Sequence, residues 1–141
     1  VAMDRLHYYQ ERAEKAAVEG TLAATKMGLQ IRLAELIITN RQMAAIELER
    51  ENPMRWLAEP PPDYVGDYRD PPKPGSWYFA ADARQLIYAP INSRYLQLNQ
   101  EDNKELRFQV RLFYDEIEIA GGKHRSLTGV KLLPVKSYRW F

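Results

Sequence analysis

The histidines are the first side chains in this sequence whose type suits acid–base or metal chemistry. There are two, His7 and His124, and they lie near opposite ends of a chain that has no cysteine. His7 falls near the start of a predicted helix, and His124 follows Gly121-Gly122-Lys123 in a predicted turn, so we expect both to be exposed. Without cysteine, a metal would need carboxylate ligands beside them, and no close spacing supplies these. The sequence therefore predicts no metal site.

A second candidate for chemistry is the acidic run Asp115, Glu116 and Glu118. Paired carboxylates can serve as acid and base, but an acidic strand end is typical of a solvated edge that discourages strand addition. Ser76 and Ser93 have no histidine near them in sequence, and the seven glycines are scattered instead of forming a phosphate-binding loop. We expect no catalytic residue, no cofactor and no small-molecule substrate.

Length and charge narrow the class of protein. The 141 residues suit one domain, and 45% hydrophobic with 28% charged residues is a globular composition. Lys plus Arg is 20 and Asp plus Glu is 19, a balance that argues against a dedicated nucleic-acid binder. A weak nucleic-acid-binding strip of basic residues remains an alternative. Its members are Lys104, Arg107, Arg111, Lys123, Arg125 and Lys131. No run of 18 apolar residues exists that would span a membrane.

The N-terminal third of the chain has the composition of helix. Residues 3–51 contain no proline and are rich in Ala, Leu, Glu, Arg and Gln, which are strong helix formers. We predict one long helix over 4–38 and a second over 41–51. The break falls at Thr39-Asn40, because these side chains compete with helical hydrogen bonding.

Proline divides this helical part from the rest. Asn52 predicts the cap of a short helical turn over 53–57, with Pro53 at its first position. Residues 60–75 hold six of the nine prolines, so we expect an extended surface connection there. The predicted organisation is a helical segment over 1–59, a proline-rich connecting loop over 60–75 and a sheet over 76–141, together forming one globular domain.

The C-terminal half has the patterns of β-structure. Aromatic and β-branched runs at 76–79 and 86–89 predict a hairpin, and 95–98 is a candidate short strand. Residues 106–114 alternate between apolar and polar side chains, as a half-buried antiparallel strand does, and 127–135 predict a last strand. The fold class is therefore α+β, with a long N-terminal helix packed on a roughly four-stranded antiparallel sheet.

Aromatic side chains such as Trp77, Tyr78, Phe79 and Tyr88 can form a stacking surface for a ligand or nucleic acid. Alternation places Trp77 and Phe79 on one face and Tyr78 on the other, and we favour core packing under the helix for the first pair. Trp140 and Phe141 end the chain, where they either dock against the sheet or continue a hydrophobic patch.

The predicted long helix has two apolar stripes on opposite sides when residues are placed at 100° intervals. One consists of large side chains suited to the sheet: Val18, Leu22, Thr25, Leu29, Leu33 and Leu36. The other, here called the small-residue stripe, contains Leu6, Tyr9, Ala13, Ala16, Gly20, Ala23, Ala24, Met27, Ile31, Ala34 and Ile38. A helix on one sheet needs only one stripe. The second is covered by the predicted helix over 41–51, by another molecule, or by nothing where the helix extends beyond the domain.

The order of these elements resembles the soluble part of type IV pilin-like proteins, including the pseudopilins of type II secretion. The segment Tyr8–Ala17 is similar to the one that follows the membrane half of a pilin helix. The runs Asn52-Pro53-Met54-Arg55-Trp56-Leu57 and Gly75-Ser76-Trp77-Tyr78-Phe79 are also similar to bacterial pilin-type sequences. The sequence departs from the family pattern in lacking the leader, the apolar N-terminal segment, the paired-cysteine loop and a calcium-loop pattern.

The resemblance implies a function. The chain would be a structural subunit, pilin or pseudopilin and of the minor kind, of a type IV pilus or type II secretion filament in a Gram-negative bacterium. Its globular part would lie in the periplasm, anchored in the inner membrane by a preceding helix. Its partners would be other pilin-like subunits and the inner-membrane assembly machinery. The start Val1-Ala2-Met3 is then expected to be a cut made where that helix continued.

Under this resemblance the small-residue stripe is the filament interface, with Leu6, Tyr9, Ala13, Ala16, Gly20, Ala23 and Met27 as its interface residues. The alternative is a soluble, non-catalytic binding module that dimerises through the same helix.

Overall fold

A computed structural model describes residues 2–98 and 104–141; Val1, at the expected cut, lies outside them. The chain begins with one long helix, α1 (Ala2–Ile38), close to the predicted 4–38. It ends at the predicted break, where Asn40 has the left-handed φ of 58° that asparagine tolerates better than most residues. At 1.5 Å per residue α1 is about 55 Å long.

The segment after α1 is helical but not an α-helix. The prediction of a second helix over 41–51 is correct in place, while the structure shows a 3-10 helix, Gln42–Glu49, that buries Ala45 and Leu48. A second 3-10 helix, Pro53–Trp56, is capped as predicted, since the Asn52 side chain accepts a hydrogen bond from the Met54 amide. This short helix packs on α1.

The sheet differs from the predicted four antiparallel strands. The strands are β1 (Tyr64–Asp67), β2 (Ser76–Ala80), β3 (Gln85–Ala89), β4 (Leu96–Leu98), β5 (Leu106–Ile119), β6 (Gly122–Pro134) and β7 (Tyr138–Trp140). Five of them form a mixed sheet in the order β1-β2-β3-β5-β6, while β4 and β7 pair in a separate two-stranded sheet. Within the proline-rich connecting loop over 60–75, β1 pairs in parallel with β2, and the sequence does not predict this short strand.

The predicted strands themselves are confirmed. β2 and β3 form the expected hairpin, and β3 pairs antiparallel with β5. The strand at 95–98 exists as β4 but pairs with β7 instead of joining the larger sheet. That pairing places the C-terminal residues Tyr138–Trp140 beside β4.

The β5–β6 hairpin is longer than the sheet that carries it. β3 pairs with β5 only at Leu106–Phe108, whereas β5 and β6 remain paired as far as Ile119 and Gly122. Residues 113–128, here called the ribbon, therefore extend past the other strands. An irregularity between Phe113 and Tyr114 marks its base, where Thr128 is the extra residue on β6.

The core lies between α1 and the sheet. The predicted core stripe of α1 is confirmed, because Val18, Leu22, Thr25, Leu29, Leu33 and Leu36 are all buried. Opposite them lie the inward residues of β5 (Leu106, Phe108, Val110, Leu112) and of β6 (Val130, Leu132). Trp77 joins this core with its ring centroid 4.9 Å from that of Tyr88, while Tyr78 packs on the other face of the sheet, as alternation predicts.

Candidate interaction surface of the N-terminal helix

The small-residue stripe faces away from the core along the length of α1. Its seven predicted interface residues, Leu6, Tyr9, Ala13, Ala16, Gly20, Ala23 and Met27, are all exposed. Its large members are exposed to an extent unusual for apolar side chains, with values of 56% for Leu6, 66% for Tyr9 and 58% for Met27. Contiguous exposed apolar surface of this kind marks interaction sites.

No element among the described residues lies over this stripe. The alternative that the predicted helix over 41–51 covers the stripe is wrong. That segment packs on β5 and on the end of α1, because Ala45 and Leu48 belong to the core. The stripe residues beyond Met27, namely Ile31, Ala34 and Ile38, are exposed as well.

The two glycines of α1 have different surroundings. A Cβ added to Gly28 would lie 2.5 Å from the carbonyl oxygen of Trp56, so the short 3-10 helix requires glycine there. A Cβ added to Gly20 would meet no atom within 4 Å. Glycine within a helix costs up to about 1 kcal/mol relative to alanine. The described fold therefore explains Gly28 but gives no reason for Gly20.

Beside Gly20 the surface is concave. A shallow groove of about 310 Å³ runs between α1 and the segment that follows the short 3-10 helix. Its walls are Ala17, Gly20, Thr21 and Ala24 on one side and Leu57, Glu59 and Pro61 on the other. Small residues on a helix permit close approach of a second helix backbone.

Two carboxylates on the core side of α1 tie the helix to distant parts of the chain, and the sequence patterns predict neither role. Glu11 is only 2% exposed. Its Oε1 accepts a hydrogen bond from the Arg94 amide at 3.2 Å, and its Oε2 accepts one from the Tyr95 amide at 2.8 Å. The indole Nε1 of Trp140 donates to the same Oε2 at 2.9 Å. Trp140 is buried and packs against α1 and β4. Of the two alternatives for the C-terminus, docking against the structure is therefore the one observed for Trp140.

Glu14 holds the loop after β3 in the same way. Its Oε2 accepts hydrogen bonds from the Tyr88 hydroxyl at 2.6 Å and the Ile91 amide at 2.8 Å, and its Oε1 accepts one from the Asn92 amide at 2.9 Å. Burial and this hydrogen bond raise the pKa of the Tyr88 hydroxyl far above its usual range. Glu14 precedes Val18 by one helical turn near the core side, but its partners lie far along the chain.

A further tyrosine–carboxylate pair supports the sheet below the proline-rich loop. The Tyr68 hydroxyl donates to Oε1 of Glu105 at 3.1 Å, and Arg107 forms an ion pair with Oε2 of this buried carboxylate at 3.5 Å. Burial, then the hydrogen bond to Glu105, raises the pKa of Tyr68 to about 12. These contacts fix the loop on the sheet.

The residues considered for chemistry are not brought together. His7 and His124 are exposed, as expected, and so are Asp115, Glu116 and Glu118 on the ribbon. Within residues 2–98 and 104–141, no three acidic or histidine side chains are close enough to hold a metal ion.

The basic strip does not form a continuous surface. Arg107 is engaged by Glu105 and by the amide oxygen of Gln85, and the Lys104 ammonium donates to the carbonyl of Ser93. Arg125 lies over Tyr114 and Lys131 lies over Phe113, so these two cations are on opposite faces of the hairpin.

Comparison with models of protein families, with curated proteins and with solved structures gave no match. Across the described residues, no helix is long and apolar enough to cross a membrane.

Proposed function

We propose that this chain is the assembling domain of a filament subunit, a pilin or pseudopilin, and that it binds neighbouring subunits through the small-residue stripe of α1. The observation that carries the proposal is Gly20, a mid-helix glycine with open space where its Cβ would be. A neighbouring helix lying against this position supplies a reason for glycine that the described fold lacks. The exposed Leu6, Tyr9 and Met27 extend the same surface.

The proposed contact follows from ordinary helix packing. Helix axes pack 8–10 Å apart, with small side chains at the closest approach, and Ala13, Ala16, Gly20 and Ala23 supply them. The large apolar residues at either end of this run then become buried against the neighbour, which adds the hydrophobic term. In this arrangement the sheet and its loops face outwards.

The cellular setting belongs to the proposal as well. We place the domain in the periplasm of a Gram-negative bacterium, held at the inner membrane by a helix preceding α1 and delivered to the filament by an inner-membrane assembly machinery. The support is the family resemblance together with the order of elements, in which a long helix is followed by a proline-rich loop and a sheet. We propose no catalytic role for the chain.

Cysteine cross-linking tests the contact, because the 141-residue sequence has no cysteine of its own. The full-length protein is expressed in its host with cysteines introduced on the stripe at both Ala13 and Ala23, and disulfides are formed with copper-phenanthroline. Filament packing predicts a ladder of covalent oligomers. The matched control also carries two cysteines, at the exposed positions Ile91 and Val65 away from the stripe, and stays monomeric.

Other outcomes have definite meanings. Products that stop at the dimer favour the alternative of a helix-mediated dimeric binding module. A ladder no stronger than the background products of the two-cysteine control contradicts assembly through this stripe.

A further inference from the structure

A second concave surface lies where α1 ends and the ribbon continues. There Tyr114 of β5 and Leu127 of β6 face the end of α1 and the 3-10 helix Gln42–Glu49 across a gap. The resulting groove has a volume of about 480 Å³. Its walls are Ile37, Met43, Ile46, Tyr114, Arg125 and Leu127, together with the polar Gln42 and Ser126. Met43, on its rim, is 83% exposed.

Arg125 gives this apolar groove its charge. It is the one charged side chain among the described residues that line it. The guanidinium carbon lies 4.4 Å from the centre of the Tyr114 ring. Although Glu116 is its cross-strand neighbour, Arg125 forms no ion pair within 4 Å with any residue of 2–98 and 104–141. A stacked guanidinium in an apolar setting is suited to receive a carboxylate from another molecule.

The opposite face of the ribbon has the complementary chemistry. Alternation along β5 puts Tyr114 and Glu116 on the groove side, and it puts Asp115, Ile117 and Ile119 on the other side. Both isoleucines are exposed. Along β5 this outer face therefore presents one carboxylate followed by two large apolar side chains, with His124 of β6 beside Ile117. The groove presents one guanidinium among mostly apolar walls, with Glu116 beside it on the ribbon.

We propose that the outer face of the ribbon of one copy docks into this groove of a second copy, with Asp115 paired to Arg125 and Ile117 and Ile119 against the apolar walls. The two complementary patches lie on opposite faces of the same ribbon. The contact is therefore head-to-tail, and such contacts repeat into rows instead of closing as a symmetric dimer. The inference rests on the proposed self-assembly of the chain and names a contact separate from the small-residue stripe.

The same reasoning accounts for the length of the ribbon. A two-stranded hairpin is at best marginally stable in water on its own, yet residues 113–128 extend past the sheet with apolar side chains exposed on both faces. Docking between copies buries both faces at once, one in each of two contacts.

The test uses two differently tagged copies of the full-length protein, co-expressed in the host. One carries Met43→Cys in the groove and the other carries Ile117→Cys on the ribbon. The proposal predicts that oxidation gives mixed disulfide dimers in clear excess over homodimers of either copy. As a control, Ile91→Cys replaces Ile117→Cys and gives only background. Homodimers in excess, or mixed dimers no more abundant than this background, overturn the proposal.

Charge reversal in trans adds a second readout. Asp115→Lys in the Ile117→Cys copy is expected to lower the yield of mixed dimers about tenfold or more, because two cations then face each other. Arg125→Glu in the Met43→Cys copy restores the yield, since the charges are exchanged across the contact. Failure of this rescue contradicts the pairing of Asp115 with Arg125. If the stripe cysteines still form a ladder while no mixed dimer forms, the ribbon contact is wrong and the proposed function stands.

Discussion

Gly20 offers the sharpest test of the proposed assembly surface, because the same substitution should change the stability of the subunit and its assembly in opposite directions. Within the described fold, a Cβ at Gly20 meets no atom within 4 Å. Gly20→Ala should therefore raise the free energy of unfolding by about 0.8–1 kcal/mol, the difference between the two residues in a helix interior. For a domain of this size that corresponds to a rise in Tm of about 3–4 °C.

The effect on assembly should be unfavourable. If a neighbouring helix lies against Gly20, the added methyl group overpacks the contact, and overpacking costs about 1–3 kcal/mol. That is about a fivefold to 150-fold loss in the association constant of each contact. The first measurement is thermal unfolding of the isolated domain. The second is the amount of filament, or of cross-linked ladder, made by the full-length variant.

Gly28→Ala is the matched control. Its Cβ would lie 2.5 Å from the Trp56 carbonyl oxygen, so this variant should lose stability while Gly20→Ala gains it. A Gly20→Ala subunit that is more stable and assembles as well as the parent would refute the reasoning, because Gly20 would then not lie at a close contact. A Gly20→Ala subunit that is less stable would show that the space beside Gly20 is filled within the molecule itself.

Two further predictions concern the core and the tyrosines Tyr68 and Tyr88. Leu29→Ala should lower the free energy of unfolding by about 2–5 kcal/mol because Leu29 is buried, whereas Met27→Ala should change it by less than about 0.5 kcal/mol and reduce assembly; urea unfolding and the cross-linking assay separate the two effects. The second prediction follows from the raised pKa values of Tyr68 and Tyr88. The unfolded chain releases these protons first as the pH rises above about 10, so stability should fall from there, for Tyr68 until about pH 12 and for Tyr88 beyond it. Urea titrations between about pH 9 and 11 should show a smaller decrease for Tyr88→Phe than for the parent, and an equal decrease would contradict the assignment to Tyr88.

The elements that the sequence predicts well are those whose signals are local. The long helix follows from residues that favour helix over many turns, and its core side follows from the 3.6-residue period of Val18, Leu22, Leu29 and Leu33. The hairpin of β2 and β3 follows from two aromatic and β-branched runs a few residues apart. In each case the partner is near in sequence, or the period itself identifies the buried side.

The elements that the sequence does not predict depend on distant partners. β1 is four residues long and lies among prolines, and only its parallel pairing with β2 makes it a strand. β7 is a strand because β4 pairs with it, across about forty residues of intervening chain. The strand propensity of a segment does not predict such pairings, because strand formation depends on cross-strand neighbours more than on the backbone preference of the segment.

Glu11 and Glu14 show how the same limit affects a candidate site. A helical plot places both near the core side. A carboxylate at a core position is unexpected unless it has hydrogen-bonding partners, and the plot does not show these partners. The partners are backbone amides of the loop after β3, together with Tyr88 and Trp140, which lie far along the chain. Glu11 is buried and Glu14 is partly buried because the fold supplies hydrogen bonds to their carboxylates, and no spacing rule within the helix predicts those partners.

These two carboxylates also bear on why the outer side of α1 is available for assembly. They and the core stripe hold α1 to its own sheet entirely through one side of the helix. The small-residue stripe lies across the helix, about 10 Å away, and makes little contribution to the described fold. Substitutions at sites this far apart usually have additive effects. Stability variants on the core side and assembly variants on the stripe should therefore combine without interaction, and a double variant such as Leu29→Ala with Met27→Ala should show the stability loss of the first and the assembly loss of the second.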